Sequence, residues 1–331
     1  MIYKPRHCDI AISHQCMLRC KMCHIWQDTR SFHETNWLDL KAYKKFLYEL
    51  RDFVEDPFFV SFGGGEPLLN HNFLGILKIC QDLGFKSCLS TNAYLLDEDK
   101  VREISQAGVN TIGISLDSLD KYTHDYLRGK QGCWDRAMRA IDLIDRYCPD
   151  SIINILTIIM GINISEIIYF TKWVYNHPKL DGVIFQVIQK PFNAHVPEEW
   201  HILDEYAGLW PSDNNAANLV IDELIALRQS HHDGFKIGNP IYQLELFKLY
   251  LMNPQGFIKP RRCHLGDNAI RITWDGHVSL CDEMGDIGNI KDDTMQNIWL
   301  SEKADTVKRR IAACDKNCHF LVNCYYHGDS E

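Results

Sequence analysis

Three cysteines stand close together near the N-terminus, Cys16, Cys20 and Cys23, in the spacing Cys-x3-Cys-x2-Cys. Thiolates are the soft ligands that iron–sulfur clusters require, and on one short loop three of them converge without ordering much chain. A 4Fe-4S cluster held by three thiolates has one iron left open, so the pattern points to chemistry at that iron. A zinc knuckle and three ordinary core cysteines are the competing readings. Zinc sites usually pair Cys-x2-Cys with a second such pair; here the first gap is three residues and no partner pair follows nearby.

Further candidates follow at intervals. Glycines 63 to 65 come directly after the apolar run Phe58, Phe59, Val60, and remove side chains where backbone must approach a ligand closely. Glu66 then offers a carboxylate to a ligand ammonium. Taken singly, the GGGE segment, Ser90-Thr91-Asn92 and Arg128-Gly129 each read as turn chemistry. Their order, each near the C-terminal end of a predicted strand, argues for one shared site.

The elements that must position these residues are legible in the periodicity. Apolar strand candidates occur at 8–13, 58–62, 86–91, 110–116, 152–159 and 182–188, separated by helix-like segments. Such alternation predicts an α/β fold, a parallel sheet with covering helices. Tyr43, Phe46, Leu47, Leu50 and Phe53 recur at helical spacing and would cover one face. Six units predict a partial (β/α)6 barrel, TIM-like and open on one side, with ligands at the C-terminal ends of its strands.

The cysteine spacing and the motifs after it resemble the radical S-adenosylmethionine (SAM) superfamily. Gly64, Gly65 and Glu66 in FGGGEP resemble the family's GGE motif, which receives the SAM amino group. Ser90, Thr91 and Asn92 in LSTNAY fall where the family places a polar strand end near the SAM ribose. Ser115, Asp117 and Arg128 resemble the segment that contacts the ribose and the SAM carboxylate. Met22 stands where an aromatic residue often packs near adenine, and its flexible apolar chain can fill that space. The resemblance implies reductive cleavage of SAM at the open iron, giving a 5'-deoxyadenosyl radical that abstracts a substrate hydrogen atom. It also implies a reducing partner such as a flavodoxin or ferredoxin.

A chain of 331 residues with 46% hydrophobic content supports two cores. The expected division is a radical SAM partial barrel over 1–190, a helical connector over 191–260 and a cysteine-rich auxiliary domain over 261–331. In the connector, Leu219, Val220, Leu224 and Leu227 form one expected core stripe, and Leu244, Phe247 and Leu251 another. No signal peptide or apolar run of about 18 residues is seen, so the expectation is a cytoplasmic protein with no membrane partner. In that setting thirteen cysteines read as metal ligands more readily than as disulfides. A net charge of −9 argues against a nucleic-acid partner.

The last five cysteines, Cys263, Cys281, Cys314, Cys318 and Cys324, crowd the end of the chain. Cys263 and Cys281 frame ITWDGHVSLC, where Asp275-Gly276 is a turn signal for a hairpin. This tail resembles the SPASM and twitch extensions of radical SAM enzymes, which bind auxiliary iron–sulfur clusters. A full SPASM tail carries seven cysteines for two clusters. Five thiolates complete only one four-ligand cluster, so a single auxiliary 4Fe-4S cluster of twitch type is expected, with Cys263 and Cys281 its surest ligands. A closed zinc site would use the same thiolates. By the same resemblance Asp282, directly after Cys281, takes the position of the catalytic base in sulfatase-maturing members, although a Cys-Asp pair also arises by chance. The substrate expected is a peptide or protein side chain, oxidised with the auxiliary cluster as electron acceptor. The alternative is a small molecule, a sugar alcohol or a tetrapyrrole-type cofactor precursor.

Overall fold

The structure is a computed structural model that describes residues 4–27, 37–191, 196–197, 199–256 and 263–315. Six parallel strands lie where the periodicity puts them: β1 (His7–Ser13), β2 (Phe59–Gly64), β3 (Lys86–Thr91), β4 (Thr111–Ser115), β5 (Ile152–Ile159) and β6 (Gly182–Val187). Helices α1 (Leu40–Phe53), α2 (Phe73–Asp82), α3 (Glu98–Ala107), α4 (Lys121–Arg128), α5 (Cys133–Tyr147) and α6 (Ile167–Asn176) alternate with them. Each strand presents alternate residues to the helices, as Cys8, Ile10 and Ile12 do from β1, at 0%, 1% and 0% exposure. The opposite face is the concave inner wall of a partial barrel, bounded at one side by β6.

Local chemistry sets the helix ends. Asp39 caps α1 by accepting from Ala42 N–H at 2.7 Å, and the buried face is Tyr43, Phe46, Leu47, Leu50 and Phe53, as predicted. Asp120 caps α4 on Thr123 N–H at 2.7 Å, and Gly129, at φ 65°, ends it in the left-handed conformation that glycine tolerates.

The connector carries α7 (Asn214–Ser230) and α8 (Ile241–Met252). In α8, Leu244, Phe247 and Leu251 are buried as expected. In α7 the buried face is Ala217, Ile221 and Leu224, while Leu219 is 69% exposed. The spacing 217, 221, 224 follows one helix face; Leu224 of the expected stripe lies on it, Val220 and Leu227 are partly buried beside it, and Leu219 alone points away. Asn239 closes the β6 edge: its side chain accepts from Phe185 N–H at 2.7 Å and donates to Phe185 O at 2.8 Å.

The tail continues the barrel sheet. After α9 (Leu265–Asn268), β7 (Ala269–Thr273) pairs in parallel with β1, and β8 (His277–Ser279) and β9 (Asp286–Asn289) follow antiparallel. The order is β6-β5-β4-β3-β2-β1-β7-β8-β9, nine strands in one sheet. Gly276, at φ 93°, makes the expected hairpin turn. Helices α10 (Met295–Trp299) and α11 (Glu302–Ala312) pack beyond it.

Candidate active site

At the C-terminal end of β1 the chain runs directly into the cysteine loop, and the GGGEP segment is laced to it. Gly65 N–H donates to Ser13 O at 2.7 Å and Glu66 N–H to Gln15 O at 2.8 Å. The glycines serve this lacing. A Cβ on Gly64 would meet Ser13 O at 2.3 Å, and one on Gly65 would meet Gln15 O at 2.1 Å. Gly63 is the one with nothing within 4 Å of its Cβ position. The close approach inferred from sequence is therefore of backbone to backbone at Gly64 and Gly65, and the space beside β2 lies at Gly63.

Glu66 is fully buried, and both its oxygens are engaged. Oε1 accepts from Thr91 Oγ1 at 2.8 Å and Leu68 N–H at 3.2 Å, and Oε2 from Asn92 N–H at 3.0 Å. Burial raises its carboxyl to about 7, against the pull of those donors. Asn92 also turns its amide toward Cys16 Sγ at 3.7 Å and Met17 Sδ at 3.5 Å. Glutamate, strand end and cysteine loop thus form one connected group. Thr91, named from the sequence with Ser90 and Asn92 as part of a polar strand end, is the hydroxyl that meets Glu66. Ser90 alternates to the concave face, opposite Gly113 of β4.

The three thiols influence one another, and their surroundings disfavour the bare thiolate in each. Burial is the main cause for each: it pushes Cys16 up to about 11 and Cys23 up to about 12, and raises Cys20 as well. Water therefore does little to stabilise these sulfurs as anions. A cationic iron–sulfur core would, and the all-thiol donor set fits one. Met22 is buried beside them at 7% exposure.

Asp117 and Arg128 face each other. Arg128 Nη2 lies 2.8 Å from Asp117 Oδ2, and Asp117 is 0% exposed, its other oxygen accepting from Ile158 N–H at 3.1 Å. The charge of the guanidinium also lowers the Cys20 thiol against the upward push of its burial. Backbone contacts strengthen the link: Arg19 N–H donates to Arg128 O at 3.2 Å and Lys21 N–H to Leu127 O at 2.9 Å. The end of α4 thus spends its unpaired carbonyls on the cysteine loop. The resemblance expects this pair near a ribose and a carboxylate, and the structure puts it beside the cysteine loop; Ser115, at the end of β4, is partly buried on the concave side.

The opposite end of the concave face holds a second polar group, of which only Asp282 was singled out from the sequence. Asp9 of β1 is in register with Ser61 of β2 and with Arg271 of β7. His7 Nε2 lies 2.9 Å from Asp9 Oδ1, and Arg271 Nη1 lies 3.0 Å from Asp282 Oδ2. Arg271 was legible only as a cation inside an apolar strand, AIRIT. The antiparallel return of β8, with Arg271 opposite Ser279, carries Cys281 and Asp282 to the N-terminal end of β1. The cysteine loop lies at its other end. Cys281 is 7% exposed, and Cys263 and Cys314 sit at the ends of α9 and α11, which pack together. Cys318 and Cys324 lie outside the described residues. Among the described residues no three His, Cys, Asp or Glu side chains close on a single metal ion.

Comparison with known proteins agrees with this layout. The radical SAM superfamily model matches residues 10–174, and the SPASM model, an iron–sulfur cluster-binding domain, matches 263–325. The chain belongs to the radical SAM superfamily and carries a SPASM-type auxiliary domain at its C-terminal end. An uncharacterised protein of Archaeoglobus fulgidus is 42% identical over 104 residues, which is 31% of this chain but only 23% of that one. The tungsten-containing aldehyde ferredoxin oxidoreductase cofactor-modifying protein of Pyrococcus furiosus is 23% identical over 89% of this chain and 80% of its own. Streptococcus suis SuiB bound to its precursor peptide SuiA shares the fold, with a TM-score of 0.66 and 16% identity over 98% of this chain and 72% of that one. The family takes a 4Fe-4S cluster and SAM in the barrel and auxiliary iron–sulfur ligation in the tail. Among the described residues no helix is long and apolar enough to cross a membrane.

Proposed function

We propose that the chain abstracts a hydrogen atom from a peptide or protein side chain held in the concave face of the barrel and oxidises it. The observation that carries this reading is the shared strand β1. Its C-terminal end runs into Cys16, Cys20 and Cys23, and its N-terminal end lies beside the hairpin end bearing Cys281. Seven residues of strand separate the two cysteine sets, roughly 20 Å at the usual rise. When bound, SAM and the clusters supply the abstracting radical, the electron that starts the reaction and the sink for the electron the substrate gives up.

The chain's own residues do the rest. Glu66, buried without a cationic partner among the described residues, receives the SAM ammonium. Ser90, Asn92 and Ser115 line the strand ends where the ribose would sit. Segment 199–211 folds over the mouth, with Tyr206 6.2 Å from the His24 ring and Leu209 O accepting from Gly161 N–H at 2.8 Å, and keeps water from the radical. Asp282, oriented by Arg271, takes the proton the oxidised substrate loses. We assign Cys263 and Cys281 to one auxiliary 4Fe-4S cluster, completed from Cys314, Cys318 and Cys324.

The likeness to SuiB, which binds a precursor peptide, supports the peptide reading. The likeness to a cofactor-modifying protein supports a second, a small-molecule cofactor precursor. Anaerobically reconstituted protein should be offered peptides and cofactor precursors in parallel, with 5'-deoxyadenosine release and product mass followed together. A peptide product lighter by two hydrogens supports the first reading; turnover confined to cofactor precursors replaces it with the second.

A further inference from the structure

We propose that a row of side chains at the floor of the concave face, Asp9, Ser61 and Cys88, reads a cation at the end of a long aliphatic side chain, so that the residue the protein modifies is of lysine or arginine type. The inference rests on the reading that a peptide side chain enters the concave face, and names the class of that side chain.

Strand register sets the row. Asp9 of β1 lies opposite Ser61 of β2, Ser61 opposite Cys88 of β3, and Cys88 opposite Thr111 of β4. On the other side of Asp9 stands Arg271 of β7. All five alternate with residues buried under the helices and are themselves half-buried. Two residues further toward the mouth on the first three strands stand Ala11, Gly63 and Ser90, all small, and a Cβ on Gly63 would have nothing within 4 Å. The hollow ends at β4, where a Cβ on Gly113 would meet the Leu156 side chain at 2.7 Å. From Ser13 at the mouth to Asp9 is four residues of strand, roughly 13 Å. An aliphatic stem can lie along such a column with its polar head on the row.

Charge decides which head. His7, 2.9 Å from Asp9 Oδ1, holds that carboxylate in place. The field of Asp9 reaches across Ser61: burial pushes the Cys88 thiol up to about 11, with Asp9 adding to the rise and Ser61 opposing it. Arg271 is matched by Asp282 at 3.0 Å, which leaves Asp9 as the excess charge of the row when His7 is neutral. Lys86, one row further out beside Phe59, is exposed, and water screens it. Ser61 and Cys88 add a hydroxyl and a thiol that can accept from an ammonium or guanidinium. A carboxylate head would be repelled by Asp9, and an apolar head would strip water from the row and return no hydrogen bond. The floor therefore selects by penalty as well as by attraction.

The test offers the reconstituted holoprotein, with SAM, three pools of heptapeptides alike apart from a central lysine, norleucine or glutamate, with the flanking positions randomised among uncharged residues. Retention of each pool is measured by ultrafiltration and mass spectrometry, and 5'-deoxyadenosine release above the substrate-free rate is followed beside it. The wild type should hold the lysine pool roughly tenfold or more tightly than the norleucine pool, and the glutamate pool least. Asp9→Asn should remove most of that preference, and Asp9→Lys should move it to the glutamate pool. Ser61→Lys, which leaves His7 and Asp9 in place, should abolish the lysine preference by pairing with Asp9. Iron content equal to that of the wild type shows that each variant folds. Variants that keep the wild-type preference overturn the role of Asp9. A wild type that holds the norleucine or glutamate pool as tightly as the lysine pool overturns the cationic class and leaves the peptide reading standing. If all three pools are ignored while cadaverine, a free diamine, drives 5'-deoxyadenosine release, the peptide reading falls and the cation preference of the floor stands.

Discussion

The two ends of β1 are built on different principles. At the mouth, backbone holds backbone: Gly65 and Glu66 donate to the chain leaving β1, and Arg19 and Lys21 donate to the end of α4. At the floor, side chain holds side chain, as His7 does with Asp9 and Arg271 with Asp282. The mouth handles a fixed ligand set, so its geometry is cast in main chain, where a single added methyl at Gly65 would collide. On the proposed reading the floor meets the substrate, and its groups can be exchanged by substitution without moving a strand. SAM chemistry would thus be set at one end, and the proton and electron the substrate loses would be taken up at the other.

Changing Cys16, Cys20 and Cys23 together to Ala breaks the mouth alone. SAM cleavage should vanish, while tail iron remains, about four atoms per chain against about eight in the intact protein. Loss of both sets of iron would show the ends to be one folding unit.

Asp282→Asn breaks the floor alone. SAM should still bind and be cleaved, but product should fall by about 10²- to 10⁴-fold, the usual cost of losing a general base. A product of unchanged mass that carries one solvent deuterium in heavy water would show instead a redox-neutral reaction, and Asp282 would lose its role.

Glu66→Ala should weaken SAM binding by roughly 10- to 150-fold, from the loss of a charge-assisted hydrogen bond of about 1.5 to 3 kcal/mol. The effect should depend on pH. With Glu66 at about 7, its carboxyl is mostly neutral at pH 6 and mostly ionised at pH 8, so SAM affinity should rise across that interval and level above it. The rise, at most about tenfold per pH unit, should be absent in Glu66→Ala. The sign reverses for the unliganded fold. Its Glu66 holds a proton more tightly than the unfolded chain does, so stability falls as pH rises from the ordinary carboxylate range toward 7. A flat affinity profile in the wild type would place the ammonium elsewhere.

The contrast also explains what the sequence disclosed. The cysteine loop, GGGEP and the strand order were legible because glycines, cysteines and alternating apolar runs report backbone requirements, which are local. The Asp117–Arg128 contact and the Arg271–Asp282 pair were not, because each joins residues from elements whose adjacency depends on the fold. The role of Thr91 was hidden by alternation: which of two neighbouring hydroxyls faces Glu66 depends on the phase of β3. The joining of β7 to β1 was hidden too, since a hairpin announces its own turn and says nothing of its outer neighbour.

The central claim is that two iron–sulfur centres face one concave wall from opposite ends of β1. The most direct measurement is pulsed dipolar EPR on the anaerobically reconstituted, fully reduced protein, with the Cys16/Cys20/Cys23→Ala variant as the single-centre control. Two interacting spins roughly 20 Å apart are expected in the wild type, from seven residues of strand, and one isolated spin in the variant. A single isolated spin in the wild type, with zinc in the tail, would contradict the account.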